Sequence, residues 1–241
     1  MSNQKQSKAS VNPEVPTCIG VIVDGNRRWA KKKGLPILHG HRAGYRRLKD
    51  FVGWAQEAGI RYVIAYIFSS ENWNRSKEEV DYLMELIASV LSRDIRTFKQ
   101  KRMRIKVVGD IERLPPKVQT VIQKAEKETA SMKDLTIVLA LSYGGRDEII
   151  HALNTILSDR EKFKNKNVTK NDFEKYLWTA GIPDPDLIIR TSGEMRLSNF
   201  LTWQSVYSEL FFVKKYWPDI TKHDLIDILK EYRKRNRSYG V

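Results

Sequence analysis

A carboxylate directly after a short apolar run is the first feature of this sequence that could carry out chemistry. The run covers residues 19–23, and Asp24 comes next, followed by a glycine, an asparagine and the arginines Arg27 and Arg28. Arginine side chains bind phosphate oxygens, whereas a carboxylate binds a cation such as Mg²⁺. The pattern indicates a site for an anion with a metal ion, although a strand–turn–helix junction with solvated charges would give the same sequence.

Polar clusters also follow three further apolar runs, at residues 61–68, 135–142 and 187–190. Runs of this length are typical of strands that are buried on both faces. Because the carboxyl ends of parallel strands meet at one edge of a sheet, we expect the clusters to lie together. Asp24 and Glu209 are the carboxylates expected to hold Mg²⁺, which binds diphosphates through few protein ligands. The arginines of these clusters, whose density suits a diphosphate, are Arg27, Arg28, Arg75, Arg146, Arg190 and Arg196.

The elements that position these clusters alternate between strand and helix. Strands are predicted at residues 19–23, 61–68, 103–108, 135–142, 187–190 and 209–213. Helices are predicted at residues 41–58, 77–99 and 116–131, from Asp147 onwards and after Thr221. The alternation predicts an α/β fold, namely a single domain with a mostly parallel six-stranded sheet flanked by helices. We expect this domain to cover residues 17–241, after a disordered tail at residues 1–16.

The predicted helix at residues 77–99 is long and unusually apolar. Ser76 and Glu79 have the spacing of a capping box at its start. The apolar residues at helical spacing are Val80, Leu83, Met84, Ile87, Val90, Leu91, Ile95 and Phe98. This stripe is typical of a buried core helix, and the more specific alternative is that it lines a hydrophobic tunnel for an apolar ligand. Trp29 and Trp73, beside the polar clusters, could likewise enclose an apolar group or pack into the core.

Composition limits the classes of protein that this chain can represent. The 241 residues carry a formal net charge of +14 and 41% are hydrophobic, which fits one domain with an anionic partner. A single cysteine, Cys18, excludes an internal disulfide and indicates a reducing, cytoplasmic environment. No apolar run approaches the ~18 residues that span a bilayer, and the polar start lacks a signal peptide's apolar segment. Walker, GxGxxG and HExxH motifs are absent, which argues against nucleotide hydrolysis, dinucleotide binding and zinc peptidase chemistry.

Several longer motifs connect these features. They are DGNRRWA at 24–30, GHRAG at 40–44, FSSENWNR at 68–75, YGGRDEI at 143–149, DLIIRTSGEMRLSNFLTWQ at 186–204 and YSELFF at 207–212. In this order the motifs resemble those of the cis-prenyltransferases, also called Z-type isoprenyl diphosphate synthases, of the undecaprenyl diphosphate synthase group. The resemblance covers residues 19–240. It implies that isopentenyl diphosphate is added to an allylic prenyl diphosphate, with formation of a cis double bond and release of pyrophosphate.

The resemblance also implies roles for individual residues. Asp24 is the catalytic acid, and it is expected to hold Mg²⁺ together with Glu209. Asn72, with Ser69 nearby, is expected to lie where a proton leaves the isopentenyl unit. The residues expected to cradle the allylic diphosphate at a helix start are Gly25, Asn26, Arg27 and Arg28. Those expected to hold isopentenyl diphosphate are Arg190, Arg196 and Ser198. The remaining substrate-binding residues are Trp29, His41, Ser70, Glu71, Trp73, Arg75 and Leu197.

The expected partners follow from the same resemblance. They are the two diphosphate substrates, a second copy of the chain in a homodimer, and a membrane contacted peripherally for product release. No nucleic-acid partner is expected. The product tail is a hydrocarbon, which favours the tunnel interpretation of residues 77–99, since each buried methylene contributes roughly 0.8 kcal/mol.

Four positions depart from the family's usual pattern. Ile37 stands where many members carry a phosphate-binding arginine, and Cys18 stands where the strand often begins with histidine. Ser142 replaces the asparagine of NYGGR, and Ser238 replaces the arginine of a C-terminal Arg-x-Gly. Because two of these changes remove a positive charge, we hypothesise that this member forms short chains or couples allylic units irregularly, without head-to-tail geometry.

Three alternatives stay open at the level of sequence. A phosphatase with Asp24 as nucleophile would place a second acid at the position of Asn26. A basic nucleic-acid-binding domain would use the charge of +14 but leaves the ordered polar loops unexplained. A non-catalytic subunit of the same family would tend to lack the acid at Asp24.

Overall fold

A single parallel sheet forms the centre of the molecule. The computed structural model describes residues 15–164 and 167–235. Its strands are β1 (Cys18–Ile22), β2 (Tyr62–Ser69), β3 (Met103–Val108), β4 (Leu135–Tyr143), β5 (Leu187–Arg190) and β6 (Glu209–Phe212). They lie in the order β3-β4-β2-β1-β5-β6, and every neighbouring pair is parallel. The predicted α/β fold is confirmed, and the strands begin and end within one residue of their predicted bounds.

Helices cover both faces of this sheet. They are α1 (Asn26–Lys32), α2 (Ile37–Glu57), α3 (Lys77–Gln100), α4 (Pro116–Thr129), α5 (Gly145–Ser158), α6 (Arg160–Phe163), α7 (Lys170–Glu174) and α8 (Lys222–Lys234). Two 3₁₀ helices cover Ser70–Asn74 and Trp217–Asp219. Within the described residues, no helix is long and apolar enough to cross a membrane.

The buried side chains form two clusters, one on each face of the sheet. The larger cluster joins α2, α3, α4 and α8 through residues such as Phe51, Leu91 and Ile122. The smaller cluster packs Tyr66 and Tyr143 against the segment after β5. Cover on both faces explains why the strands are continuous apolar runs rather than alternating ones.

The differences from the predicted elements lie at their ends. Helix α2 begins at Ile37 rather than at residue 41, because Pro36 takes the N-cap position. Helix α1 matches the helix start that the resemblance implies at Gly25–Arg28, but its seven residues are mostly charged and give no apolar period that predicts its length. The predicted tail reached residue 16, but Val15 packs partly buried against the core and Pro16 is buried. Residues 1–14 lie outside the described residues.

Candidate functional site

The four polar clusters lie together at the carboxyl edge of the sheet, as the parallel topology predicts. Their strands β4, β2, β1 and β5 are consecutive neighbours in the sheet. Asn199, from the loop after β5, donates through Nδ2 to Glu71 Oε1 at 2.9 Å and accepts from the backbone N–H of Arg146 at 2.9 Å. Ser70 Oγ donates to Asp147 Oδ2 at 2.5 Å. These contacts tie three of the clusters directly to one another.

The Asp24 carboxylate bridges two arginines at the centre of this edge. Its Oδ2 accepts from Arg190 Nη2 at 3.0 Å, and its Oδ1 accepts from Arg28 Nη2 at 3.2 Å. The Arg190 side chain is buried, whereas the side chain of Arg28 is 44% exposed. Asp24 therefore lies between one fixed cation and one that faces solvent.

Arg190 is held in place by groups of its own loop. Its Nη1 donates to the carbonyl oxygen of Arg196 at 2.5 Å and to Ser198 Oγ at 2.7 Å, while its Nε has no partner within the described residues. Ser198 has a positive φ of 50°, in the left-handed region that ordinary residues seldom adopt. The loop thus accepts a strained backbone where it holds the arginine, as functional sites often do.

Gly25 makes the turn from Asp24 into α1. Its φ is +100°, and an added Cβ would lie 2.8 Å from Tyr216 Cδ1 and 3.0 Å from Ser192 Oγ. A glycine is required at this position because both the backbone angle and the space exclude a side chain. The turn places Asn26, Arg27 and Arg28 along the wall of one cavity.

Glu79 is the residue of this site that sequence reasoning missed. The spacing from Ser76 predicted a capping box, but the structure forms only half of it: Ser76 Oγ accepts from the Glu79 N–H at 3.3 Å. The carboxylate turns into the site instead and accepts from His41 Nε2 at 3.1 Å and from Arg75 Nη1 at 3.0 Å. Arg27 Nε lies 3.8 Å from the same carboxylate. Arg27 and Arg75 belong to the arginines of the polar clusters and His41 to the motif GHRAG, but neither of these patterns includes Glu79.

Burial shifts the pKa values of two partners of Glu79, His41 and Arg75, and of Tyr66 nearby. Burial lowers the pKa of His41, and the hydrogen bond to Glu79 acts in the opposite direction. Burial also lowers the pKa of the Arg75 guanidinium, against the effect of Glu79. Nearby, burial raises the pKa of the Tyr66 hydroxyl, which donates to the Tyr143 carbonyl at 3.1 Å. Tyr66 is thus kept neutral as a hydrogen-bond donor.

The end of β2 presents Ser69 to the site, and the 3₁₀ helix that follows presents Asn72. Asn72 Oδ1 accepts from the backbone N–H of Ser69 at 3.1 Å. Ser69, Glu71 and Asn72 line a cavity, whereas Ser70 turns outward to Asp147. Trp73 also faces away from the cavities, because its Nε1 donates to Ser142 Oγ at 2.9 Å and its ring packs edge-on against Phe68.

Three cavities meet at this edge of the sheet. The first, of about 750 Å³, is lined by Asp24 and the cations Arg27, Arg28 and Lys31. The second, of about 500 Å³, is lined by Asp24, Arg75, Arg190, Asn72 and Ser198. The third is apolar, has a volume of only about 90 Å³ and lies between α2, α3 and the sheet. Val23, Asn26 and His41 line all three cavities. The site therefore joins two polar compartments to an apolar one.

The apolar cavity has the lining that the stripe on α3 predicted. Leu83, Ile87, Val90 and Leu91 contribute to it, whereas Ile95 and Phe98 pack only in the core. The earlier turns of the stripe thus border an apolar cavity and also pack in the core, whereas its last turns pack in the core alone. Binding of an apolar ligand there stays a prediction. A continuous hydrophobic tunnel is not seen among the described residues, because the cavity is small.

Several predicted site residues take other positions. Glu209 begins β6, opposite Leu187 at the start of β5, so it lies at the far edge of the sheet from Asp24. Its Oε2 accepts from Arg235 Nη1 at 2.8 Å. Trp29 Nε1 donates to Asp219 Oδ1 at 2.7 Å, and Leu197 packs partly buried against the smaller core cluster. Within one chain, Asp24 and Glu209 are therefore not brought together.

The departures from the family pattern have distinct surroundings. Ile37 lies on the rim of the first cavity and is 39% exposed, so an apolar side chain borders a cationic compartment. Cys18 is buried, and its backbone N–H donates to Asp186 Oδ2 at 3.0 Å. Ser142 adopts a φ of 48°, a conformation that asparagine tolerates better than serine. Ser238 lies outside the described residues.

The donor set around Asp24 fits Mg²⁺ only if a substrate supplies further ligands. No group of three or more histidine, cysteine or acidic residues among the described residues could hold a metal alone. Mg²⁺ is commonly bound through one or two carboxylates together with substrate phosphates. Asp24, which lines both polar cavities, offers such a carboxylate.

Comparison with known proteins gives consistent matches along almost the whole chain. The family model described as "Putative undecaprenyl diphosphate synthase" matches residues 22–240. An isoprenyl transferase of Thermotoga maritima is 47% identical over 94% of this chain and 97% of its own length. A ditrans,polycis-undecaprenyl-diphosphate synthase of Micrococcus luteus, named as (2E,6E)-farnesyl-diphosphate specific, is 40% identical over 94% of this chain and 92% of its own length.

A solved structure agrees with these matches. Lavandulyl diphosphate synthase from Lavandula x intermedia, determined in complex with dimethylallyl diphosphate, superposes with a TM-score of 0.90 and 35% identity. The match covers 95% of this chain and 99% of that one. Sequence and architecture thus point to the same group of proteins.

Proposed function

The chain belongs to the undecaprenyl diphosphate synthase family of prenyltransferases, and we propose that it condenses isopentenyl diphosphate with an allylic prenyl diphosphate. A carbon–carbon bond forms, the allylic bond to pyrophosphate breaks and the isopentenyl unit loses a proton. The product is a prenyl diphosphate, longer by one isopentenyl unit, with a new cis double bond. The junction of two cationic cavities with an apolar one, beside Asp24, is the observation that carries this proposal.

The two polar cavities suggest separate places for the two diphosphates. We assign the allylic diphosphate to the first cavity, where Arg27 and Arg28 would bind its oxygens. Isopentenyl diphosphate would occupy the second cavity, where Arg190 and Ser198 are already joined at 2.7 Å. The allylic carbon and the isopentenyl unit would then meet beside Asp24, which lines both cavities.

Charge stabilisation is the main contribution of these side chains. Departure of pyrophosphate develops negative charge, and fixed cations lower the barrier because they need no reorganisation. Mg²⁺, held by Asp24 and diphosphate oxygens, would supply further neutralisation of the leaving group. Asn72 and Ser69, which line the second cavity, would receive or relay the proton that leaves the isopentenyl unit.

The apolar cavity would receive the growing hydrocarbon. Its residues lie on α2, α3 and the sheet, so a longer tail requires these elements to separate into a tunnel. Each methylene transferred from water contributes roughly 0.8 kcal/mol, which can help drive that separation. Product length would then depend on the packing of α3.

The assay combines purified protein, Mg²⁺, isopentenyl diphosphate and allylic primers from about C5 to about C20, with mass spectrometry of the products. We expect cis-prenyl diphosphates, and their absence with every primer would contradict the proposed function. Chelation of the metal should abolish turnover. Turnover that persists after chelation would contradict the role of Mg²⁺.

Replacement of Asp24 tests the centre of the site. Asp24→Asn removes the charge with little change in shape, and we expect a loss of at least ~10²-fold in kcat. Asp50→Asn is the matched control, because the Asp50 carboxylate is 52% exposed and pairs with Arg47 on α2. Substantial activity in Asp24→Asn would contradict the assigned role of Asp24.

We further propose a cytoplasmic homodimer that contacts a membrane peripherally during product release. The exposed apolar side chains Ile150 and Leu153 on α5 support an interface between copies, as do the exposed Val206 and Tyr207. The segments that carry these two groups are joined, because Gln204 Nε2 donates to Glu148 Oε2 at 3.0 Å. Light scattering on the eluting protein tests the dimer, and a monomer at assay concentration would contradict it.

A further inference from the structure

Glu79 is a buried carboxylate at a place where anionic substrates are expected to bind. It lies in the first turn of α3, and only 7% of its surface is exposed. A negative charge beside a diphosphate site weakens the attraction for the substrate. Its presence there therefore needs a reason other than substrate affinity.

The contacts of Glu79 supply that reason. One oxygen, Oε1, accepts from both His41 Nε2 and Arg75 Nη1, at 3.1 and 3.0 Å. The other, Oε2, lies 3.8 Å from Arg27 Nε. Each of these three partners comes from a different element, namely α2, the residue after the 3₁₀ helix Ser70–Asn74, and α1. The carboxylate is thus the common point that fixes them relative to one another.

The partners of Glu79 line the cavities that we assign to the diphosphates. Arg27 lines the first cavity, whereas Arg75 and His41 line both polar cavities. Without the carboxylate, two guanidinium groups would face each other across the same space and repel. A long arginine side chain also loses rotamer entropy when it is ordered, and a fixed partner reduces that cost during the reaction.

We infer that Glu79 is a positioning residue, which holds Arg27, Arg75 and His41 in the geometry that stabilises the departing pyrophosphate. The negative charge of Glu79 weakens the attraction for the bound substrate, but its contacts align the cations that stabilise the transition state. Catalysis depends on interactions that are stronger in the transition state than in the ground state. The inference rests on the proposed function, since it presupposes a diphosphate leaving group.

Glu79→Gln separates these two effects. It keeps the size of the side chain and removes its charge, so the cluster becomes more positive. We expect inorganic pyrophosphate, measured by calorimetry, to bind as tightly as to the parent chain or more tightly. We expect kcat for prenyl transfer to fall by about 10–100-fold, a range common for residues that orient site groups. A merely structural role would weaken both together, and either that result or an unchanged kcat would overturn the inference.

Asp81→Asn is the matched control for the charge change. Asp81 is an exposed carboxylate on the same helix, ion-paired with Lys77. This variant should leave both pyrophosphate affinity and kcat close to those of the parent chain.

A double-mutant cycle gives a second measurement, namely the coupling between Glu79 and Arg75. In an Arg75→Gln background, the further change Glu79→Gln should lower kcat by a smaller factor than in the parent, because the two residues act together. Equal factors in the two backgrounds would overturn the inference. Absence of turnover in the parent chain would instead contradict the proposed function, so the two failures are distinguishable.

Discussion

His41 shows how one buried side chain can link the site to pH. It lies in the first turns of α2 and donates to Glu79, and its side chain lines both polar cavities. Burial lowers its pKa from the ordinary value of 6.5, while the hydrogen bond to Glu79 opposes the shift and the nearby Arg75 adds to it. The imidazole is therefore a neutral hydrogen-bond donor in the folded protein at neutral pH.

The lowered pKa predicts a pH dependence of stability. Between the folded and unfolded pKa values of His41, the unfolded chain binds more protons, so the free energy of unfolding rises with pH. The contribution is fully present above about pH 6.5 and is lost as the pH falls below it. We expect the difference in the free energy of unfolding between about pH 7.5 and about pH 5.5 to be smaller in His41→Gln than in the parent chain.

Urea unfolding at the two pH values measures this difference. His223→Gln is the matched control, because the side chain of His223 is 77% exposed and pairs with Asp227 on α8. The control should keep the pH dependence of the parent chain. The same slope in all three proteins would show that His41 does not titrate as its burial requires.

At the residue scale, the sequence predicts which residues carry out the chemistry of the site. It does not predict all of the contacts that hold their side chains in position. Asp24 and Arg190 could be predicted because Asp24 follows β1 and Arg190 ends β5, and the ends of these strands must lie at the edge of the sheet. Glu79 could not, because a glutamate three residues after a serine at a helix start is equally typical of a capping box. Only the three-dimensional positions of His41 and Arg75 decide which partner its carboxylate takes.

Helix α2 begins at one of the four positions where the sequence departs from the expected family pattern. Its first residue, Ile37, borders the first cavity with a side chain that is 39% exposed. Leu35, two residues earlier, also lines that cavity. Apolar side chains at the rim weaken the binding of a diphosphate and favour contact with hydrocarbon.

We expect Ile37→Arg to lower the KM for the allylic diphosphate by about threefold to tenfold, as one additional hydrogen bond of ordinary strength would. If the lost charge is what limits elongation, the variant should also give longer, regular head-to-tail products. Steady-state kinetics and mass spectrometry of the products measure both effects. An unchanged product spectrum would count against the short-chain or irregular-coupling hypothesis.

Ile226→Arg serves as the control for this element. Ile226 lies on α8 and is also 39% exposed, but it does not line any of the three cavities. The added positive charge is the same, so only a local effect distinguishes the two variants. A KM lowered equally by both would indicate general electrostatic attraction instead.

At the element scale, the spacing of apolar residues is sufficient to predict the buried helices and strands. It is insufficient to predict the elements that are built around the site. Strands β1–β6 and helix α3 give clear apolar patterns because the core covers them on both faces or along one stripe. Helix α1 gives none, since its charged residues face the cavity and its start depends on the turn at Gly25. The site is therefore the region where the local sequence pattern is weakest.

The whole molecule brings its polar clusters together through topology alone. A parallel sheet in the order β3-β4-β2-β1-β5-β6 collects the ends of β4, β2, β1 and β5 at one edge. The same rule explains the position of Glu209, which begins its strand and so lies at the opposite edge. The predicted strand at residues 209–213 is sufficient to place Glu209 at the opposite edge, because the residue begins that strand.

The tail compartment is the part of the architecture that the sequence defines least. The stripe on α3 identifies the lining residues, but the space between α2, α3 and the sheet depends on how closely their side chains pack. A volume of about 90 Å³ is far smaller than either polar cavity. Product length should therefore respond to changes of side-chain size at this interface.

Ile87→Ala tests this dependence. Ile87 is buried on α3 and lines the apolar cavity, so its truncation enlarges the cavity at a cost of about 2–5 kcal/mol in stability. We expect the main product to lengthen by at least one isopentenyl unit, measured by mass spectrometry under the same substrate ratio. The opposite change, Ile87→Phe, should fill the cavity and shorten the product.

Ile122→Ala separates cavity size from loss of stability. Ile122 is 2% exposed on α4, packs in the same core cluster and does not line the cavity. Its truncation removes the same atoms, so it should destabilise the fold comparably and leave the product length unchanged. If Ile87→Ala and Ile122→Ala changed the product equally, chain length would reflect general loosening of the core, and the space beside α3 would not be the compartment that holds the hydrocarbon.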